Sequence, residues 1–181
     1  MKRLFVVLLI FSFCSRVRPK AYSSFNVLSY GASGDGQTDD SKAFVKAWKD
    51  VCNATQETAT LVIPKEKTFM LQPVSFMGPC KPSTVNIELR GRIIAPKRVE
   101  AWQWGDEDRE AWVKFSFING LVIDGGGLGQ VDGQGAAWWQ SHPSDSQRPT
   151  VCTIYKYIYI YMLNENMDHS PSYTSNYILY M

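Results

Sequence analysis

Short apolar runs broken by turn residues govern the chain from Phe25 to about Trp139. Phe25-Asn26-Val27-Leu28 precedes Gly31, and Thr60-Leu61-Val62-Ile63 runs into Pro64. Stretches rich in apolar and β-branched residues at 68–76, 85–95, 114–118, 121–124 and 128–132 predict further strands. One segment has a helical period instead. Phe44, Trp48, Val51 and Cys52 recur on one face, and Asp39 or Asp40 stands where a helix cap is expected. Short strands with Gly or Asn corners, as in Phe117-Ile118-Asn119-Gly120-Leu121-Val122-Ile123-Asp124-Gly125, fit a β-solenoid and a sandwich alike.

The character changes after Arg148. All 13 glycines precede residue 136, whereas seven of the nine tyrosines fall at or after Tyr155, so the tail lacks the corner residues of the earlier segment. Tyr155 to Tyr161 alternates Tyr with Lys or Ile, which predicts an exposed, association-prone strand. A second reading comes from the codons. A TA dinucleotide repeat encodes alternating Tyr and Ile, so 149–181 also reads as translated non-coding sequence.

The opposite end reads as an address. Met1-Lys2-Arg3 is positive and Leu4 to Phe13 is apolar, the pattern of a signal peptide and too short to cross a bilayer. A buried N-terminal helix is the competing reading. The expected cut lies near Ala21-Tyr22-Ser23, with Ser12-Phe13-Cys14 as the other site. Residues 1–23 are therefore expected to be removed, leaving a secreted protein with no membrane partner.

With 181 residues, 45% of them hydrophobic, the chain has the composition of one globular domain. Its formal charge of +2 rests on five basic residues within 1–23. The remainder has 14 Lys and Arg against 17 Asp and Glu, a net −3, which leaves no basic footprint for nucleic acid. Cys14 falls in the leader. Cys52 and Cys80 bracket 27 residues and either pair in an oxidising compartment or stay as buried thiols. Pairing would contribute about 3 kcal/mol on the chain-entropy account. Cys152 is then left over. Asn53-Ala54-Thr55 is an acceptor sequon for N-glycosylation. No Cys-x-x-Cys or clustered histidines suggest a metal.

Tyr30-Gly31-Ala32 followed by Gly34-Asp35-Gly36-Gln37-Thr38-Asp39-Asp40 opens an ordered set of motifs. Leu61-Val62-Ile63-Pro64, Phe76-Met77-Gly78-Pro79-Cys80, Leu89-Arg90-Gly91 and Ile94-Ala95-Pro96 come next. Ile123-Asp124-Gly125-Gly126-Gly127 through Val131-Asp132-Gly133-Gln134-Gly135 to Trp138-Trp139 completes it. The set resembles the N-terminal part of plant polygalacturonases, the family 28 glycoside hydrolases. That resemblance implies an all-β fold: the first turns of a right-handed parallel β-helix over 24–148, with one N-terminal capping α-helix. It implies that Cys52 and Cys80 tie the cap to an early turn. It also implies a pectin partner, homogalacturonan, in the extracellular cell wall, and no cofactor, since the family chemistry uses carboxylates and water alone.

Inverting glycoside hydrolysis needs a carboxylic acid and a carboxylate base roughly 6.5–9.5 Å apart. The family supplies them from Asn-Thr-Asp and Asp-Asp motifs, assisted by Gly-His-Gly and Arg-Ile-Lys, and none is matched here. Asp39-Asp40 belongs to the entry motif, Asn166-Met167-Asp168 lies in the tail, and Arg92-Ile93-Ile94 lacks the lysine. His142 and His169 have no flanking Gly. Asp106 to Glu110 reads as a solvated acidic loop, and Gly125 to Gly129 lacks the last glycine of a dinucleotide fingerprint. Trp102, Trp104, Trp138 and Trp139 are expected to fill a core rather than stack on sugars. These 181 residues are thus expected to be catalytically inactive, with no catalytic residue assigned, and to self-associate through an uncovered β-helix end. The rival expectations are a non-catalytic pectin-binding protein and a part of a rhamnogalacturonan hydrolase or lyase.

Overall fold

The computed structural model describes residues 22–104 and 111–136, together with the backbone of two short strands at 159–160 and 176–179. Residues 1–21 of the expected leader, the acidic run 106–110, Trp138, Trp139, His142, Cys152, Asn166-Met167-Asp168 and His169 lie outside the described residues, whereas Tyr22 and Ser23, the last two of that expected leader, belong to the first strand. The first strand, β1 (Tyr22–Asn26), ends in a 3-10 turn over Val27–Tyr30. This corrects the expectation of a strand through Leu28. Asn26 Oδ1 accepts the Leu28 amide at 3.0 Å, and Gly31 closes the turn at φ 93°, where only glycine is unstrained.

Next come β2 (Asp35–Asp39) and the helix α1 (Ser41–Asn53). Ala43, Phe44, Ala47, Trp48, Val51 and Cys52 form its buried face, as the spacing predicts. Asp40 occupies the N-cap, but its side chain makes no cap bond. The Asp40 carboxylate turns back instead and accepts from the amides of Ser33 (2.7 Å) and Gly34 (3.1 Å). Its backbone carbonyl starts the helix by accepting from Ala43 and Phe44. Ala54, with extended ψ of 146°, ends it.

Eight strands then wind through three faces. β3 (Thr58–Ile63), β6 (Thr84–Leu89) and β9 (Leu121–Asp124) continue the sheet begun by β1. β4 (Thr68–Met70), β7 (Arg92–Ile94) and β10 (Gln130–Asp132) extend the sheet of β2, while β5 (Val74–Met77) and β8 (Val113–Ser116) form the third. Every pairing among β1 to β10 is parallel. The fold is a partial parallel β-helix. Two expected strands are in fact two each. Residues 68–76 break at Leu71–Pro73 and 85–95 break at Arg90–Gly91, because the coil turns a corner there.

In-register stacking builds the core. Phe25, Leu61, Ile87 and Ile123 form one inward column, and Phe69, Ile93 and Val131 form another. Phe76 stacks on Phe115 at 5.0 Å, and Trp48 from α1 lies 5.3 Å from Phe76. Helix α1 packs on β1, β3 and β5, closing the first end of the lumen. Burying each such side chain is worth about 1.5–3 kcal/mol. Cys52 at the end of α1 is bonded to Cys80 beyond β5, with Cα atoms 4.1 Å apart.

Candidate functional site

Strand alternation decides which side chains face outward. Because Ile87, Leu89 and Ile123 point into the lumen, Glu88 and Asp124 point out. The parallel register sets Glu88 directly opposite Asp124 on adjacent coils. Arg90, at the corner after β6, reaches both. Its Nε donates to Glu88 Oε1 at 3.2 Å, its Nη1 to the Asp124 carbonyl at 3.1 Å and its Nη2 to Asp124 Oδ2 at 2.8 Å. One sheet further, Arg92 pairs with Asp132 across β7 and β10.

The electrostatics of this corner oppose proton donation. The Arg90 hydrogen bond, helped by the Gly126 amide, holds the Asp124 carboxyl below its ordinary value. Its guanidinium is raised in turn, chiefly by the bond to Asp124. Asp35 is held at about 2 by the amides of Thr38 and Gln37 and by the Thr38 hydroxyl. A general acid for glycoside hydrolysis needs the opposite shift, upward. Chemically the corner is a charged clamp between coils.

The other sequence candidates are structural where they are described. Asp39 Oδ1 accepts the Ser41 amide at 3.0 Å, and Asp40, 2% exposed, serves the loop before the helix. Arg92 is held by Asp132. Trp102 is buried between Trp104 and Trp112, with ring centroids 5.1 and 6.2 Å away, and donates to the Pro96 carbonyl. Neither face of Trp102 is open to a sugar. Asn53 is exposed at the end of α1, its amide donating to the Lys49 carbonyl. No group of three or more His, Cys, Asp or Glu among the described residues is arranged for a metal. No described helix is long and apolar enough to cross a membrane.

Sequence reasoning missed the clamp. Leu89-Arg90-Gly91 and Asp124-Gly125 stood out as motifs, but pairing them needs the register between coils, which is 34 residues of separation. Within one coil nothing signals it.

The sequence profile described as Glycosyl hydrolases family 28 matches residues 52–167. A probable polygalacturonase of Arabidopsis thaliana is 44% identical over 128 residues, covering 71% of this chain and 26% of that protein. A polygalacturonase of Persea americana is 39% identical, covering 66% of this chain and 24% of its own length. Among solved structures, the endo-xylogalacturonan hydrolase from Aspergillus tubingensis is similar at a TM-score of 0.54 and 27% identity, over 71% of this chain and 32% of that one. The chain spans between a quarter and a third of the length of such relatives.

Proposed function

Because the chain belongs to glycosyl hydrolases family 28, we propose that it supplies the capped first coils of a secreted, polygalacturonase-type enzyme acting on α-1,4-galacturonan of cell-wall pectin. The described residues, on this reading, supply no hydrolytic centre of their own. The observation behind that reading is the Glu88–Arg90–Asp124 corner. Register brings two carboxylates side by side on one face, and a single guanidinium engages both. Two carboxylates bridged by one guanidinium leave no room between them for a scissile bond, and Asp124, held low by Arg90, is not poised to protonate a leaving oxygen.

The described segment then has a supporting role. α1 covers the lumen, the proposed Cys52–Cys80 disulfide fastens it, and a glycan on Asn53 would extend from its exposed end. In an enzyme of full family length, coils beyond the equivalent of β10 would carry the acid and the base.

Two preparations test this. Purified 181-residue protein incubated with polygalacturonic acid should release no reducing ends above a buffer control. A chimera in which residues 22–136 replace the matching part of an active plant polygalacturonase should keep its reducing-end release. Hydrolysis by the 181-residue protein would overturn the first half of the reading. A chimera that folds, judged by its circular dichroism, and yet is inactive would overturn the second.

A further inference from the structure

The winding order changes after β10. Coils run through the β1, β2 and β5 sheets in turn, so the strand after β10 belongs in the β5 sheet. The next described strand is β11 (Tyr159–Ile160), which returns to the β1 sheet beside β9; β12 (Asn176–Leu179) then lies beside β8. Both pair antiparallel, whereas the seven pairings among β1 to β10 are parallel.

From this reversal we propose that Tyr159–Ile160 and Asn176–Leu179 act as a self-cap, ending the β-helix on its own chain and keeping a second copy off the edge. Without them β8 and β9 would present rows of unpaired amides and carbonyls, a template for another chain. The tail covers Val113 to Ser116 completely and Ile123 and Asp124 of β9. Its strands are two and four residues long, and short edge strands are poor templates in turn. Their reversed direction also prevents a further coil from continuing the parallel ladder. The chain between Ala136 and Tyr159 has ample length. Twenty-two residues reach roughly 70 Å when extended. Tyr159 and Ile160, part of the alternation that reads as association-prone, are thereby used within one molecule.

Hydrogen exchange on the intact 181-residue protein, followed at 113–116 and 123–124, tests the cap. Proline at 160 or 178 removes an amide donor from the tail strand and should speed exchange at those edges at least about tenfold. Exchange within β3 and β6 should stay unchanged, which monitors folding. Light scattering should find the parent protein monomeric and Ile178→Pro associating with concentration. On the unsubstituted protein, edge protection should not change on dilution. Two outcomes overturn the proposal: edge exchange equal in parent and proline variants, or parent protection that disappears on dilution as a dimer dissociates, which would make a second copy the occupant.

Discussion

The guanidinium of Arg90 fills the space that a side chain on residue 126 would need: a Cβ on Gly126 would lie 2.1 Å from Arg90 Nη1. Gly126 also sits at φ 52°, and its amide donates to Asp124 Oδ1 at 2.8 Å. The glycine turn and the arginine clamp are therefore one device, joining consecutive coils. Asp124, whose carboxyl Arg90 holds low, stabilises the fold above its unfolded pKa of about 3.9, and that contribution is lost as pH falls through the lower folded value. Arg90→Gln should lower stability at neutral pH by less than about 1 kcal/mol, since the pair is part-exposed. It should also flatten the loss of stability below about pH 4. Urea titrations of both proteins at neutral and acid pH check this.

Gly91 and Gly120, by contrast, face backbone rather than a flexible side chain. A Cβ on Gly91 would stand 2.4 Å from the Pro64 carbonyl oxygen, and one on Gly120 would stand 2.3 Å from that of Ser83. Neither carbonyl retreats without disturbing the coil it belongs to. Gly91→Ala and Gly120→Ala should each cost about 2 kcal/mol or more, and Gly126→Ala less, because the Arg90 side chain swings away. Chemical denaturation of the three variants ranks them.

The Cys52–Cys80 tie closes 28 residues of separation between the cap and the corner after β5. Replacing both with serine should remove about 2–4 kcal/mol. Amides of α1 should lose exchange protection first, because the cap is then held only by packing and a few hydrogen bonds, such as Trp48 Nε1 to the Met77 carbonyl at 3.0 Å. Equal loss of protection across β3, β6 and α1 would show that the cap is not separately fastened.

Tyr30 donates its hydroxyl to Asp50 Oδ2 at 2.8 Å, tying the entry turn to α1. Burial, then the Asp50 hydrogen bond and charge, push its pKa up to about 12. A raised folded value means stability is complete below the unfolded pKa, near 10, and declines as pH rises toward 12. Tyr30→Phe should lose stability at neutral pH and show a shallower decline over that alkaline window. Thermal melts of both proteins across the window compare the slopes.

How much of this was legible depends on the range of the interactions. The face of α1 lies within thirteen residues, so the period of Phe44, Trp48 and Val51 was enough to place it. The strands are legible as apolar, β-branched runs for the same local reason, but which residues face inward, as Leu61, Ile63 and Ile87 do, follows only from the coil. The corner at Leu71–Pro73 is hidden because an apolar residue continues into it: Leu71 is 1% exposed and still lines the core. The sequence offers Asp39 or Asp40 as the helix cap: Asp39 does accept the Ser41 amide, whereas the Asp40 carboxylate is taken by Ser33 and Gly34. The Arg90 clamp depends on which coil stacks on which, information that lies in the register and not in any single motif.

The most direct measurement is reducing-end release from polygalacturonic acid by the purified 181-residue protein and by the chimera carrying residues 22–136 within an active plant polygalacturonase. The account predicts no release by the first and sustained release by the second. Catalytic release by the 181-residue protein itself, abolished by substitution of Asp124 or Glu88, would contradict it.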